Sequence, residues 1–559
     1  MNSDQLFGQI TAWNAHDGAG KILDRNGKQQ QFFIEDWVSD VTPRKGQLVS
    51  FESFRGGASN RRTAFNVSAI NPEVSSTITS ATQGRADKSN FDLLKEVANW
   101  KLDANSEDLS RYFLNISEVT EIEGGNRSLV IGRKGTGKTA IANHLAKIAE
   151  YNTFAEMMSF KNFPFNELYH LTDSKYTPPN QYITAWKFII YSSVLRMMMQ
   201  NEQVDSSLRS SLSTHFQTDL TDSLASKIKK AITSSIKLGG WGFTLEVGKG
   251  SGWLENSSSL IDRVEAIEKK ILAHVDDARY FIIFDALDDD YRPSQQGVDD
   301  RYWDLLTSLV KAVQDVRRVM RMHKKKVFPV VFIRDDIYSQ IRDADKTKWM
   351  DDATALVWHK QKLQELLAFR ISRSASSDGP LFNYNRAWLL VSNATAINKK
   401  EVFDFIWNLT HSRPRDFIKF LSICARYALT NGQRKIHAEQ LMSARTAFSR
   451  YLALDIQAEA EPVLPDIHYI YAVLSDLNKP NFKCEEFVAL YEKHLKKGQL
   501  VTQNAERALS LLYDFNVVGN IKNSVTDRAY YKYLSPDSTL SLSRPICIHP
   551  GFHYFLRLI

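Results

Sequence analysis

Ser128-Leu-Val-Ile131-Gly132-Arg133-Lys134-Gly135-Thr136-Gly137-Lys138-Thr139 is a short apolar run, then a glycine-rich turn, then the start of a helical stretch through Ala149. From Gly132 to Thr139 it fits G-x-x-x-x-G-K-[ST] without a mismatch, in the strand-to-helix setting that a phosphate loop requires. Glycines let main-chain N–H groups curl round an anion, and the Lys138 ammonium reaches the β and γ oxygens of a triphosphate. The Thr139 hydroxyl offers a ligand to Mg²⁺, while the helix N-terminus adds its positive end. A plain flexible turn would need neither the lysine nor the threonine at those positions.

Such a site also needs a carboxylate at the end of a second strand. Tyr280-Phe-Ile-Ile-Phe284 is apolar throughout and runs into Asp285-Ala286-Leu287-Asp288-Asp289-Asp290, so Asp285 is the expected partner of Mg²⁺. The plain alternative for this acid cluster is a solvated loop after a strand. Val327-Phe-Pro-Val-Val-Phe-Ile333 is a further buried-strand candidate, and continuous apolar strands of this kind belong to a parallel sheet covered on both faces. The long separation of Lys138 from Asp285 leaves room for inserted helices and for a hairpin at Leu238 to Leu245.

Outward from this centre, 559 residues are more than one hydrophobic core holds, so several domains are expected. Residues 6–70 alternate apolar and polar in five short runs separated by glycine turns, which suits a small β-barrel. Residues 71–90 are rich in Ser and Thr and read as a linker. The P-loop α/β core is placed at 91–375, a helical lid at 376–460, and a winged-helix-like unit at 461–559. From about Leu381 to Leu454 the pattern is purely helical; beyond Pro465, three helical stretches precede strand-like runs near Val517 and Tyr530. The most apolar segment, Trp186 to Met199, is broken by Lys187 and Arg196 and is too short for a bilayer, so it reads as a buried helix. Cys424, Cys484 and Cys547 stand far apart without C-x-x-C spacing, which excludes a zinc knuckle and a disulfide framework. His549 and His553 have i, i+4 spacing, but Pro550-Gly551 breaks the helix that a zinc pair would need. With no export signal at the amino terminus and no membrane span, a cytoplasmic protein is expected.

In its motifs the segment from about 91 to 559 resembles the STAND and KAP-like branch of the AAA+ ATPases, within a bacterial lineage found among defence-associated ATPases. The resemblance implies ATP and Mg²⁺ as cofactors. In that branch two adjacent acids are followed by Leu-Asp, where this chain has Asp285-Ala286-Leu287-Asp288; the water-orienting role would fall to Asp288 or Asp289, or turnover would be slow. Phe332-Ile-Arg334-Asp-Asp336 resembles the strand end that carries a sensor, with Arg334 in that role. His411-Ser-Arg413-Pro-Arg415-Asp416 is similar to the turn that opens a lid helix, from which Arg413 or Arg415 reaches back to the nucleotide. For Arg334 the plain alternative is an exposed strand-end arginine, and for the Arg-Pro-Arg turn a capped helix start. These arginines suit action within one subunit or across two, which admits a homo-oligomer.

Residues 6–70 resemble a cold-shock domain of the OB class in Gly8-Gln-Ile-Thr-Ala-Trp13-Asn14, Asp17-Gly-Ala-Gly-Lys-Ile22 and Phe32-Phe-Ile34. The base-stacking platform is depleted: Ala12, Ala19, Lys21 and Glu35 stand where that family carries aromatics or a histidine. Phe33 and Trp13 remain, and the segment's charge is nearly balanced. A protein or a structured nucleic acid is the expected partner, rather than an ordinary single strand. The helix Thr502 to Leu512 exposes few basic groups, with Leu509, Leu511 and Leu512 read as core, and the basic stretch Arg317 to Lys326 reads as a solvated helix end. The function expected is a regulatory ATPase switch in antiviral defence; the alternative is a nucleotide-bound scaffold or nucleic-acid-binding regulator in which ATP is structural.

Overall fold

The structure, a computed structural model, describes most of residues 5–69 and, apart from a few single positions, residues 90–160, 176–215, 260–290, 300–521 and 529–558. The expected linker 71–90, all but its last residue, and the expected hairpin Leu238 to Leu245 lie outside the described residues. The chain divides into two compact units, 1–87 and 88–559.

The first unit is a closed barrel of β1 (Gln5–Asn14), β2 (Ala19–Asp24), β3 (Gln29–Phe33), β4 (Leu48–Arg55) and β5 (Arg62–Ala69), in the order β1-β2-β3-β5-β4. Ile10, Ile22, Phe32, Val49, Phe51, Ala64 and Val67 point inward and fill it. Gly20 is obligatory, because a β-carbon there would sit 2.2 Å from the Phe32 ring. Trp13 stacks on Phe32 at 5.4 Å and so spends one face on the barrel's own core, whereas Phe33 is exposed.

In the second unit α1 (Asn90–Ala98) precedes β6 (Leu129–Gly132), α2 (Lys138–Ala146), β7 (Thr153–Ser159) and α3 (Ile183–Gln200). Then come α4 (Leu260–His274), β8 (Arg279–Asp285), α5 (Asp300–Met322), β9 (Val327–Arg334) and β10 (Ala353–Ala355). The five strands form one parallel sheet in the order β10-β6-β9-β8-β7. Successive strand residues face opposite sides, and β8 shows it: Phe281 and Ile283 pack with Ile141, Ala142 and Leu145 of α2, while Tyr280, Ile282 and Phe284 pack with Trp186 and Ile190 of α3. Covered on both faces, the strand is apolar from Phe281 to Phe284, and Asp285 at its end is its first carboxylate. The register aligns the carboxyl ends, pairing Gly132 with Arg334 and Ser159 with Asp285, so the loop, the acid and the arginine emerge on one edge. Ligands of open α/β sheets bind at that edge.

Beyond the sheet lie α6 (Lys360–Ala375), α7 (Pro414–Thr430), α8 (Ala438–Ala460), α9 (Ile467–Asp476), α10 (Cys484–Lys496) and α11 (Ala505–Asp514). A four-stranded antiparallel sheet joins α9–α11, from β13 (Asn481–Phe482), β14 (Val518–Ile521), β15 (Ala529–Tyr530) and β16 (Ile546–Ile548). The stretch from Leu381 to Leu454 is not purely helical, because a small hairpin, β11 (Ala396–Ile397) with β12 (Lys400–Glu401), turns through left-handed Asn398 and Lys399. One hydrophobic cluster runs through all these helices and takes in Leu93, Val97 and Trp100, so the segment before the sheet is anchored on the helices after it. Arg317, expected in solvent, is buried: its guanidinium donates to the Gly125 and Asn126 carbonyls and to Asp352. Leu509 and Leu512 are buried and Leu511 is half-buried against the same cluster. All three cysteines are buried and free.

Candidate functional site

The loop from Gly132 to Thr139 is held open by its glycines and pinned by its neighbours. Gly135 and Gly137 adopt φ of +83° and +99°, where a side chain is strained, and a β-carbon on Gly135 would press against Arg415 at 3.2 Å. The Thr136 hydroxyl donates to the Arg133 carbonyl at 2.7 Å, and the Trp358 indole donates to the Thr136 carbonyl at 3.0 Å. Lys138 donates to the carbonyls of Gly132 and Arg133 at 2.7 and 3.1 Å. Burial pushes its ammonium below the ordinary lysine range, against the pull of Asp288 and Asp335. The Thr139 hydroxyl and the Asp285 carboxylate both line the same cavity; burial weakens the acidity of Asp285, and the nearby Thr139 hydroxyl opposes that shift. A hydroxyl and a carboxylate in one cavity with a buried ammonium are a donor set that suits Mg²⁺.

The remaining acids and arginines separate into distinct roles. Arg334 grips Asp336 with two bonds of 3.0 and 2.6 Å and reaches Asp288 at 3.3 Å and Glu459 at 3.5 Å. Burial alone would lower its pKa, but Asp336, Glu459 and Asp288 drive it upward. Asp288 and Ala286 line the cavity below; Ala286 sits at φ +58°, a strained setting for alanine. Asp289 falls within a single 3₁₀ turn, Leu287–Asp290, and its side chain lies outside the described residues.

The turn His411-Ser-Arg413-Pro-Arg415 opens α7 with proline at the first helical turn. Ser412 takes φ +54°, which sends the residues on either side of it in different directions. Arg413 is buried and saturated: it binds Asp416 through Nε and Nη2, Asp455 at 3.1 Å, and the Lys134 carbonyl at 3.2 Å. Arg415 is half-buried, meets Asp455 at 3.5 Å and lines the cavity. Its backbone N–H donates to the Gly135 carbonyl at 3.4 Å. Lys134 meets Asp455 at 3.2 Å. Arg133 turns away: it donates to the His411 carbonyl at 2.7 Å and stacks over the Tyr533 ring at 5.1 Å.

The cavity among these groups has a volume of about 270 Å³. Its polar end is formed by Gly135 to Thr139, Asp285, Asp288, Arg334 and Arg415. The rest of its lining mixes Leu102, Leu109, Phe113 and Ile116 before the sheet and Leu366 and Ile418 of α6 and α7 with the paired Glu107 and Arg370. Sequence reasoning missed that part of the lining, as well as Trp358, Asp455, Glu459 and Tyr533. The apolar spacing after Phe91 was visible, but nothing in it distinguishes residues facing a cavity from residues facing a core.

Fold and site together are those of a P-loop α/β protein whose helical region closes over the loop. Residues 361–457 match the family described as the FunZ-associated C-terminal helical domain. A curated relative, the putative transposon gamma-delta 80.3 kDa protein of Escherichia coli K12, is 20% identical over 487 residues, covering 80% of this chain. The chain spans 65% of that relative's length. Among solved structures, the Aeropyrum pernix ORC1 protein in complex with DNA is 12% identical with a TM-score of 0.33, over 84% of this chain and 98% of that one. The Aeropyrum pernix ORC2 protein is 11% identical with a TM-score of 0.35, over 82% and 91%. No described helix is long and apolar enough to cross a membrane.

Proposed function

We propose that the second unit is an ATP-dependent switch, with ATP bound between the carboxyl edge of the sheet and the start of α7. The observation that carries this reading is that Thr139, Asp285 and the buried Lys138 line one cavity with Arg415, and that the same cavity offers Leu102, Leu109, Phe113 and Ile116 as apolar surface for a base. Magnesium held by Thr139 and Asp285 would supply charge neutralisation at the phosphates. The loop amides and Lys138 would bind and orient the triphosphate, and Arg415 and Arg334 would balance charge on the terminal phosphoryl group. Asp288, which lines the cavity and pairs with Arg334, would take a proton from an attacking water.

A switch needs an element that reads the site, and two contacts supply one. Arg133 of the loop stacks on Tyr533, and Lys134 of the loop binds Asp455 of α8, the helix that leads into the final unit. Three helices with a small antiparallel sheet support reading that unit as a winged helix, and the barrel order supports an OB-type unit at the amino end. The motif resemblance to defence-associated ATPases supports placing the switch in antiviral defence.

The second reading is a nucleotide-bound scaffold, favoured by Ala286, which leaves no acid next to Asp285. Nucleotide binding and single-turnover hydrolysis, measured with and without RNA or DNA, separate the two. Stimulated hydrolysis supports the switch, and tight binding without turnover supports the scaffold. ATP affinity unchanged in a folded Lys138→Ala protein would remove both.

A further inference from the structure

An open groove of about 590 Å³ runs between α7 and α8; it shares no lining residue with the nucleotide cavity, whose Lys134 and Arg415 meet its Asp455. One wall carries Lys419, Ile423, Arg426 and Tyr427 of α7, spaced so that they form a single stripe; the other carries Arg450, Tyr451 and Leu454 of α8. Three cations therefore face one channel. The sole carboxylate lining it, Asp455 at its end, is already taken by Lys134, Arg413 and Arg415, so it offers little repulsion to an anion. Arg450 is exposed and engages no other described residue, and Arg426 spends only its Nε, on the Ala98 carbonyl. Two tyrosine rings lie between these charges. Tyr451 is covered on one side by the Lys419 ammonium at 5.2 Å, and its buried hydroxyl has no hydrogen-bond partner among the described residues.

We infer that this groove binds single-stranded nucleic acid, its phosphates drawn by Lys419, Arg426 and Arg450 and its bases laid against Tyr427 and Tyr451. Cations interleaved with aromatic faces are what a flexible polyanion with stacked bases requires, and a duplex offers no base faces to such a channel. Lys419 and Arg426 stand seven residues apart on one helix, about 10 Å along its axis. An acidic peptide would find the cations but leave the tyrosine faces without stacking partners. The surface lies outside the nucleotide cavity, so the inference stands or falls separately from the ATP reading.

The test uses the full chain and a fluorescein-labelled deoxythymidine strand of about 20 nucleotides, followed by anisotropy over a range of salt. Wild type should bind with a marked salt dependence. The exposed Arg450→Glu substitution and the double variant with Lys419→Glu should weaken binding, the double by about tenfold or more, with a shallower salt slope. Melting temperature and ATP affinity should stay at wild-type values in both. Tyr427→Leu should weaken binding without changing the salt slope, which a purely electrostatic surface would not show. Strand binding that ignores all three variants would place the nucleic acid elsewhere and overturn the inference. So would the absence of strand binding by wild type, or preferential binding of a labelled polyglutamate peptide. A concentration-dependent dimer abolished by Arg450→Glu, in the absence of strand binding, would assign the groove to a second copy of the chain and overturn it too.

Discussion

The Glu459 carboxylate lies 3.5 Å from the Arg334 guanidinium through one oxygen and 3.9 Å from that of Arg413 through the other. Burial raises its pKa against the pull of Arg334 and Arg413. Glu459 belongs to α8, whereas Arg334 ends β9 beside the loop, so one carboxylate ties the strand-end arginine to the helix that leads into the final unit. A terminal phosphate would compete with Glu459 for Arg334. Glu459→Gln should therefore tighten ATP: relief of about 1 kcal/mol is roughly a fivefold gain in affinity. Titration calorimetry reads this directly, and equal or weaker binding in the variant would dispose of the competition.

Arg413 and Arg415, indistinguishable by spacing, part company in their surroundings. Arg413→Ala would strand Asp416, which is fully buried and bound by Nε and Nη2 of that arginine. Breaking such a pair costs about 3 kcal/mol or more of stability. Arg415→Ala removes a half-exposed contact and should change stability by less than about 1 kcal/mol. Its effect should fall on the nucleotide, lowering turnover by about a hundredfold if it stabilises transferring charge. Urea unfolding beside single-turnover kinetics tests the assignment, and the reverse pattern would exchange the two roles.

Asp285 carries a pKa raised above the ordinary aspartate value because it is buried, with the Thr139 hydroxyl opposing the shift. Binding Mg²⁺ requires the ionised carboxylate, so ATP and Mg²⁺ together should displace a proton at acid pH. The difference in ATP affinity between magnesium and EDTA should grow as pH rises through that raised pKa and shrink below it. Asp285→Asn should abolish both the magnesium difference and its slope. An Asn variant that kept the full magnesium effect would move the ion to other ligands.

What the sequence disclosed follows from how local each feature is. The P-loop strand, β8 and β9 were visible because strands buried on both faces must be apolar throughout, and Lys138, Thr139 and Asp285 follow from fixed positions at strand ends. The barrel strands were visible as alternation. The two- and three-residue strands β13 and β16 are too short to show any period. Asp455, Glu459 and Tyr533 were hidden for another reason: each meets the loop or Arg334 across more than a hundred residues, and an acid on a helix looks solvated until its partner is known. The same blindness left Arg317 in solvent and Arg413 level with Arg415.

His411 and His549, both buried, face each other with ring centroids 4.7 Å apart, and Tyr533 lies against both. Burial keeps both rings neutral, helped at His411 by His549, Arg413 and Arg133 and at His549 by His553 and Arg413: His411 falls well below its ordinary value and His549 drops to about 3. In the unfolded chain each would titrate near 6.5. Between those values the unfolded state binds more protons than the folded one, so the stability each histidine contributes is complete above about pH 6.5 and is lost as pH falls, with a slope of about 1.4 kcal/mol per pH unit. Buried carboxyls with raised values, Asp335 and Glu459, act in the opposite sense. The informative quantity is therefore the difference between wild type and His549→Gln. Unfolding in urea from neutral pH to about pH 5 should show wild type losing stability more steeply than the variant, with His411 supplying the slope that remains. Parallel curves would mean that His549 is charged in the fold, and would remove it from the wall that holds Tyr533 against Arg133.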